Sequence, residues 1–291
     1  MADMPRREHD IDAQLVRALL VDQHPDLGGL PLHRAGHGWD NELYRLGEDL
    51  AVRLPRRAAA AELVRHEQRW LPELARRLPV AVPAPVRVGA PGRGYPWSWS
   101  IVPWLTGATW EDAPPPDSAR AARDLGRFVH ALHTPAPADA PVNPFRGVPL
   151  ADRAERFDQH VGELGGRIDA RRCRSLFAEL VTTPPWPGPP VWVHGDLHPL
   201  NLLVESGRLA AVIDFGDLCG GDPATDLAVA WIALPAPARP VFRAAAGVDD
   251  DTWRRARAWA LALAVAYLAG ADDHPAIAAV GRRTLTEVLA A

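Results

Sequence analysis

The chain has 291 residues, of which 47% are apolar and 23% are charged, an ordinary composition for a soluble globular protein with a full core. Its formal net charge of -4 argues against a nucleic acid or an anionic membrane surface as the main partner, because such partners need a basic footprint. The length favours two lobes, and a change of pattern places their boundary near Pro103 to Gly107.

The N-terminal segment and the cysteines bear on localisation. The first residues are polar and lack the apolar core of a signal peptide, and no apolar run reaches the length of a membrane span. Cys173 and Cys219 show no CxxC pairing, which favours a reducing compartment. We therefore expect a cytoplasmic protein without a membrane partner. All 32 basic residues are Arg, so a site that needs a cation must use Arg where other proteins use Lys.

The first third of the chain combines helices with short strands. Apolar side chains recur at helical spacing over residues 10–23 and stop before Pro25. Short segments broken by glycines over residues 31–57 predict a β-meander of three strands. A helix is predicted over residues 58–78, where Pro72 is expected to kink it or divide it.

The rest of the chain is predicted to be mainly helical. Two further strand candidates, "APVRVGA" and "WSWSIVPWL", precede the lobe boundary. Residues 190–216 alternate apolar runs with turns and predict a small β insert. The most apolar stretch, "AWALALAVAYLAG", is too short for a membrane span and is expected to be a buried helix. Helices are predicted over roughly 118–133, 151–164, 170–181 and 223–234, with two more after 251.

The β insert contains the residue types that phosphoryl transfer requires. This reaction needs a carboxylate beside the acceptor hydroxyl and metal ions on the phosphates, held by an Asp and often an Asn. Asn201 follows Asp196 by five positions, and Asp214 follows it by eighteen. A hairpin between them could bring all three to one point, because its strands fold back on each other.

Three motifs in this order, "HGDLHPLN", "VIDFGD" and "GDPATDLA", resemble the aminoglycoside phosphotransferase family, which is distantly related to the protein kinases. The resemblance spans roughly residues 30 to 235 and is specific from 190 to 227. It implies an α+β, two-lobed protein-kinase-like fold. Residues 1–105 would form an N-terminal nucleotide-binding lobe with an antiparallel β-sheet, and residues 106–291 a mainly helical catalytic and acceptor-binding lobe.

The resemblance also implies roles for single residues. Asp196 would be the catalytic carboxylate, Asn201 and Asp214 would hold Mg²⁺, and Asp226 would brace the catalytic loop by hydrogen bonds. Arg53 would contact the nucleotide phosphates, where the kinase pattern has Lys, with Glu67 as its helix partner. The other residues expected at the nucleotide are Gly36, His37 and Gly38 in the phosphate-covering loop, Pro103, Trp104 and Leu105 in the hinge, and Ile213.

The implied function is transfer of the γ-phosphoryl group of ATP or GTP, with Mg²⁺, to a hydroxyl of an aminoglycoside or related antibiotic, and hence antibiotic resistance. The acceptor would be a small, cationic molecule, and the negative net charge is compatible with it. The alternative is a metabolic kinase acting on choline, an amino alcohol or a sugar. Several carboxylates beside the acceptor would favour an aminoglycoside, whereas an aromatic cage would favour choline.

Two further interpretations stay open at this point. His194 and His198 are four positions apart and could belong to the metal site of a hydrolase, although structural roles are favoured for both. The second open interpretation is a protein that binds a nucleotide but catalyses no transfer. Near the C-terminus, residues 249–251 are read as the first turn of a helix. With Asp272 and Asp273 they could instead line an acidic acceptor pocket.

Overall fold

The computed structural model describes residues 6–270 and 274–291, apart from the side chain of His37, and these residues form two compact units. The first unit contains residues 6–77 and 81–106. The second contains residues 78–80 and the described residues from 107 onward. Asp272 and Asp273 lie outside the described residues.

The first unit is built on a five-stranded antiparallel sheet. Its strand order is β1-β2-β3-β5-β4, and the meander expected over residues 31–57 is confirmed as β1 to β3. The last two strands are shorter than predicted, because prolines around them lack the N–H that a ladder requires. The strands are β1 (Leu32–His37), β2 (Asn41–Leu46), β3 (Leu50–Pro55), β4 (Arg87–Gly89) and β5 (Trp99–Pro103).

Helix α1 (Ala13–Gln23) closes the core of this unit. Its first turn is capped by Asp12, whose carboxylate accepts a hydrogen bond from the N–H of Leu15 at 2.8 Å. The buried residues of α1 belong to one apolar cluster with side chains from the sheet, among them Tyr44 and Trp99. The helix predicted from the sequence periodicity is thus confirmed, and its apolar face packs against the sheet.

Helix α2 (Ala58–Ala75) is continuous, so the possible division at Pro72 is not observed. Proline removes one N–H from the helical ladder and disfavours the helix interior. Here Leu71 and Leu74, one on each side of the proline along the chain, are both buried. Their packing offsets the lost hydrogen bond.

The second unit is mainly helical. Helix α9 carries the apolar stretch from 258 onward, and every residue from 258 to 268 except Ala266 is buried, as expected for a buried helix. It packs against α4, α5, α6 and α10. The helices are α3 (Ser118–Leu132), α4 (Ala154–Leu164), α5 (Ala170–Leu180), α6 (Ala224–Leu227), α7 (Val229–Ile232), α8 (Arg239–Ala246), α9 (Asp250–Ala269) and α10 (Pro275–Ala290).

Two features of this unit differ from the prediction. The helix expected over residues 223–234 is divided into α6 and α7 at Ala228. Helix α8 was not predicted, because three prolines at 235, 237 and 240 obscure its periodicity. Pro240 lies in its first turn, where a missing N–H costs nothing.

The β insert is present and frames the motifs. Strands β6 (Ala108–Thr109), β8 (Leu202–Glu205) and β9 (Arg208–Val212) form one antiparallel sheet, and β7 (Val191–Val193) pairs with β10 (Cys219–Gly221) in another. The β8–β9 hairpin turns at Ser206 and Gly207, which both have positive φ. Within the described part of the chain, no helix is long and apolar enough to span a membrane.

Candidate active site

The loop after β7 is held in place by one buried carboxylate. Asp226, which is fully buried, accepts hydrogen bonds from the backbone N–H groups of His194 and Gly195, each at 2.8 Å. The Nε2 atom of His133 lies 3.1 Å from the same carboxylate. These contacts match the bracing role expected of Asp226, and they fix the backbone immediately before Asp196.

His194 has both ring nitrogens in use. Its Nδ1 accepts a hydrogen bond from the backbone N–H of Asp196 at 3.2 Å, and its Nε2 lies 3.0 Å from the carbonyl oxygen of Ile213. Because an N–H can only donate and a carbonyl can only accept, the ring is the neutral tautomer with its proton on Nε2. His194 therefore links the loop to the end of β9 and has no nitrogen left for a metal ion.

The carboxylate of Asp196 is contacted by three polar side chains. His198 Nε2 lies 3.2 Å from Oδ2, while Arg146 donates to Oδ1 at 3.2 Å and the hydroxyl of Tyr267 donates to Oδ1 at 3.3 Å. Burial by itself raises the pKa of Asp196. His198, and then Arg146, outweigh burial and hold that pKa well below its ordinary value, so the group is ionised at neutral pH.

Arg146 and Tyr267 were not found by sequence reasoning. Arg146 lies in the loop between α3 and α4, and its Nε also donates to Asp217 at 3.1 Å, so one guanidinium bridges two carboxylates. Burial beside Asp196 raises the pKa of Tyr267 well above its ordinary value, which leaves the phenol as a donor. Neither residue belongs to a motif, and both lie far from Asp196 in sequence.

Asn201 and Asp214 lie on opposite sides of the β8–β9 hairpin. The carbonyl of Asn201 accepts a hydrogen bond from the N–H of Ile213 at 2.9 Å, which places Asn201 beside the residue that precedes Asp214. The side-chain amide of Asn201 donates to the carbonyl of Asp196 at 3.0 Å. The hairpin therefore brings the loop of Asp196 and the turn of Asp214 together, as the spacing predicted.

The donor set around this hairpin suits Mg²⁺, which prefers oxygen ligands. The amide nitrogen of Asn201 donates to the backbone carbonyl of Asp196, so the Oδ1 atom of Asn201 remains available to a cation. Asp214 is exposed and adopts a left-handed backbone, with φ of 64°, which is uncommon outside glycine. These two side chains would hold the ion. Their role toward a metal stays a prediction.

The first unit contains the residues expected at the nucleotide phosphates. Arg53 on β3 donates to Glu67 on α2 at 2.9 Å, and both side chains are largely buried. Gly36 has φ of 151° and lies at a β-bulge, and the N–H of Gly38 donates to the carbonyl of Asn41 at 2.9 Å. The side chain of His37, also expected here, lies outside the description. The role of all five toward a nucleotide stays a prediction.

The expected hinge residues follow the end of β5. Pro103 is the last residue of that strand, and the N–H of Trp104 donates to the carbonyl of Asp49 at 2.7 Å. The Trp104 ring is half-buried, with the guanidinium of Arg45 5.0 Å from its centroid. Leu105 follows and is also half-buried. The contact of these residues with a base stays a prediction.

The site of a metal-dependent hydrolase, the other role considered for His194 and His198, finds no support among the described residues. Both ring nitrogens of His194 have partners, and His198 faces Asp196. In residues 6–270 and 274–291, no group of three or more His, Cys, Asp and Glu side chains could hold a metal ion. Near the C-terminus, Asp249 caps α9 by accepting from the N–H of Thr252 at 2.6 Å, as its first-turn position predicted.

The comparisons with known proteins give the family. The model of the phosphotransferase enzyme family (APH) matches residues 31–259 of the 291. No curated protein sequence matches significantly. Among solved structures, the GDP complex of an aminoglycoside 2'-phosphotransferase-IIIa is 22% identical with a TM-score of 0.72, and the alignment covers 96% of this chain and 99% of that chain.

Two other structures extend the comparison. A related aminoglycoside phosphotransferase in complex with GDP and kanamycin is 23% identical, with a TM-score of 0.69 and coverage of 94% of this chain and 98% of that chain. A macrolide 2'-phosphotransferase from Brachybacterium faecium is 25% identical, with a TM-score of 0.60 and the same coverage. With a kinase-like fold and a family model that matches well over half of its length, the chain belongs to the phosphotransferase enzyme family and is an O-phosphotransferase.

Proposed function

We propose that the protein transfers the γ-phosphoryl group of ATP or GTP to a hydroxyl of a small molecule, with Asp196 as the catalytic carboxylate. The observation that carries this proposal is the hairpin that joins the loop of Asp196 to Asp214 through Asn201. In phosphoryl transfer, a carboxylate beside the acceptor and metal-holding Asn and Asp side chains are the recurring parts. Asp196, Asn201 and Asp214 supply all three.

Asp196 works mainly by orientation. Its pKa is lowered by His198 and Arg146, so its carboxylate is a weak base that accepts a hydrogen bond from the acceptor hydroxyl. It takes the proton only as the bond to phosphorus forms. Mg²⁺, when held by Asn201 and Asp214, would neutralise charge on the phosphates. The loop is already positioned for this task by Asp226, so little ordering is needed on binding.

The first unit is proposed to bind the nucleotide, with residues 1–105 as the nucleotide-binding lobe and residues 106–291 as the catalytic and acceptor-binding lobe. Arg53 would contact the phosphates as a planar fork, which can chelate two oxygens where Lys acts as a point charge. Its contact with Glu67 at 2.9 Å orients the guanidinium. Two solved relatives hold GDP, which supports a nucleoside triphosphate as the donor.

Aminoglycosides and macrolides are the acceptors to test first. One solved relative holds kanamycin and another is a macrolide phosphotransferase, which supports an antibiotic acceptor and a role in resistance. Such a protein would act in the cytoplasm, where nucleoside triphosphates are available. Screening both classes for a triphosphate-dependent mass gain of one phosphate tests the acceptor directly.

A second candidate is a kinase of small metabolites such as choline, an amino alcohol or a sugar. This candidate is favoured because the carboxylate of Asp196 and that of Asp217 are already paired with an arginine. Arg146 bridges Asp196 and Asp217. A polycationic aminoglycoside would have to compete with this guanidinium group for the same two carboxylates.

Replacing Asp196 by Asn tests the catalytic assignment. The variant keeps the shape of the side chain but removes the charge that orients the hydroxyl, so we expect kcat to fall by about 10²–10⁴-fold. Nucleotide affinity, measured by calorimetry, should stay within about twofold, because Asp196 is not proposed to touch the nucleotide.

Asp158→Asn, at an exposed position of α4, is the matched control and should keep full activity. Unchanged turnover in Asp196→Asn would remove the carboxylate from the mechanism. Nucleotide binding without turnover in the unsubstituted protein, over the whole acceptor panel, would instead favour a binding protein.

A further inference from the structure

A cavity in the second unit lies against the loop of Asp196. Its volume is about 300 Å³, at the lower end of the range for small-molecule sites. Pro199, the first residue of the turn from Pro199 to Asn201, forms part of its wall. The described residues that line the cavity all belong to the second unit.

The cavity is close to Asp196. Pro199 follows His198 directly, and the Nε2 atom of His198 lies 3.2 Å from the Asp196 carboxylate. Three residues of chain span at most about 11 Å, and this loop folds back, since the side-chain amide of Asn201 donates to the carbonyl of Asp196 at 3.0 Å. The Cα atoms of Asp196 and Pro199 are therefore less than about 11 Å apart, which a single small molecule can span.

The same elements build the cavity and hold the loop of Asp196. Trp231 in the cavity wall belongs to α7, which follows α6 and its Asp226, the carboxylate that braces the loop. Trp110, also in the wall, donates its backbone N–H to the carbonyl of Leu202 at 2.8 Å, directly after the turn at Pro199. These contacts fix the cavity relative to the loop.

The walls of the cavity are mainly apolar and aromatic. Trp110, Trp231, Ile232 and Leu234 line it and are each at most 5% exposed. Three prolines, one of them Pro199, add further apolar surface. Walls of this kind bind the ring or alkyl part of a ligand, while a few polar groups set its orientation.

The charged side chains at the cavity are already paired. Glu111 accepts from both terminal nitrogens of Arg283, at 3.0 and 2.6 Å, and Glu287 pairs with Arg239. The charges of these two carboxylates and two guanidinium groups cancel, so they give a cation no net attraction. A charged ligand would lose hydration in the cavity without gaining a partner.

The Trp231 ring does not favour a quaternary ammonium group. The guanidinium carbon of Arg239 lies 5.8 Å from its centroid, and the ring of Trp253 packs against it with centroids 4.6 Å apart. A cation–π contact needs a free ring face, and Trp231 already has a cation beside it. Arg239 would repel a second cation at this ring.

We propose that this cavity binds the non-reacting part of the acceptor, and that it selects an uncharged hydroxyl compound with a ring or a branched alkyl body. The inference rests on the proposed phosphotransferase function and deepens it, because it names the class of acceptor. It predicts that aminoglycosides and choline, which carry ammonium groups, are poorer acceptors than their uncharged counterparts.

The binding test uses two pairs of compounds that differ in one charge. Phenyl β-glucoside is compared with phenyl β-glucosaminide, and neohexyl alcohol with choline, in which nitrogen replaces a carbon atom. Ligand-detected NMR measures their affinity for the full chain saturated with ADP and Mg²⁺, so that the nucleotide site is filled. We expect the uncharged member of each pair to bind at least about tenfold more tightly. Equal or tighter binding of the charged member, or no binding of either uncharged compound, would overturn the inference.

Substitution of Ala233, a half-buried residue of the cavity wall, tests whether the probes bind there. Ala233→Phe fills part of the cavity and should weaken the binding of phenyl β-glucoside by at least about tenfold. Ala178→Phe, at an exposed position of α5, is the matched control and should bind as the unsubstituted protein does. Ala233→Leu repeats the test should the Phe variant not fold. Equal binding in the unsubstituted protein and the folded Ala233 variants would rule out the site.

Arg283→Met tests the charge balance. Without this guanidinium, Glu111 keeps an uncompensated negative charge on the cavity wall, so phenyl β-glucosaminide should bind about fivefold more tightly than to the unsubstituted protein. Arg282→Met removes the same charge from the neighbouring exposed position of α10 and should leave that affinity unchanged. The same affinity in Arg283→Met and the unsubstituted protein would contradict selection by paired charges.

The turnover test asks whether the ligand of the cavity is the acceptor. The same compounds are incubated with ATP or GTP and Mg²⁺ and screened for a mass gain of one phosphate. We expect kcat/KM of the uncharged member of a productive pair to exceed that of the charged member by at least about tenfold. Ala233→Phe should raise the KM for the uncharged acceptor more than it lowers kcat. A KM that this substitution leaves unchanged would overturn the acceptor assignment.

The two proposals fail separately. If phenyl β-glucoside binds in the cavity but no compound in any panel, antibiotics included, gains a phosphate, the proposed transfer fails and the cavity stands as a site for uncharged ligands. If a cationic antibiotic gains a phosphate with kinetics that Ala233→Phe does not change, the transfer stands and the inference about the cavity fails.

Discussion

At the scale of single residues, the loop that carries Asp196 is held by one buried carboxylate, that of Asp226. Asp226 accepts from two consecutive backbone N–H groups, those of His194 and Gly195, and contacts His133. A buried acceptor shared by several donors contributes more to stability than the sum of its single hydrogen bonds, because its removal leaves every donor unsatisfied. The position of Asp196 is therefore set by a side chain thirty residues away in sequence.

Replacing Asp226 by Ala should lower the free energy of unfolding by about 3–5 kcal/mol, since two buried backbone donors and His133 lose their acceptor. Asp226→Asn retains one acceptor oxygen and should lose less. Urea unfolding of both variants measures the difference. A loss below about 1 kcal/mol for the Ala variant would show that the loop does not depend on this carboxylate.

The sequence identified some members of the site and missed others for a physical reason. Asp196, Asn201 and Asp214 lie within nineteen residues, on a loop and a hairpin whose geometry follows from local turns. Arg146 and Tyr267 reach Asp196 from positions 50 and 71 residues away. Contacts of that separation depend on how helices pack, which periodicity does not specify.

At the scale of elements, the tight turn between β7 and Asp196 requires glycine. Gly195 has φ of 88°, and a Cβ atom there would lie 2.7 Å from the carbonyl oxygen of Asp217. The backbone at Asp217 cannot move aside as a flexible side chain could, so any side chain at position 195 would clash with it. Glycine at this position allows both the positive φ of the turn and the close approach of the segment that follows Asp214. The glycine of "HGD" thus has a structural explanation.

Gly195→Ala should destabilise the protein by about 1–3 kcal/mol and displace Asp196, with a loss of activity larger than the loss of stability explains. Gly166→Ala is the matched control, because a Cβ there meets nothing within 4 Å. Thermal unfolding and kcat are measured for both. Full activity in Gly195→Ala would show that the loop tolerates a different backbone.

Element boundaries were predictable where caps and periodicity agree. Helices α1 and α9 are capped at their N-termini by Asp12 and Asp249, whose carboxylates accept from the N–H three residues later. Helix α8 was not predicted, because the prolines in and before it obscure the helical periodicity. Periodicity also gave a single helix where α6 and α7 are separated at Ala228. Local propensity is a weak guide where tertiary packing decides the outcome.

At the scale of the whole molecule, a buried ion pair joins distant parts of the second unit. Arg255 on α9 donates to Asp222 at 2.8 Å, and both side chains are at most 5% exposed. The same guanidinium donates to the carbonyl of Pro184 at 2.9 Å. It therefore connects α9 with the segment before α6 and with the proline-rich loop before β7.

Arg255→Met should cost about 3–5 kcal/mol of stability, because Asp222 is left as a buried charge without its cation. Adding Asp222→Asn should recover part of that loss, since the uncompensated charge is removed. Equilibrium unfolding of the single and double variants gives the coupling energy. A double variant as unstable as the sum of the singles would show that the pair contributes no coupling.

The sequence by itself determined the family, the kinase-like fold class and the residue types for phosphoryl transfer, because these follow from motifs and local periodicity. Only the tertiary structure decided what surrounds the carboxylate of Asp196. Arg146 and Tyr267 lie on separate segments of the second unit, and they donate to Asp196 only after the helices have packed. Packing of elements distant in sequence, which no local pattern encodes, therefore decides which side chains contact Asp196.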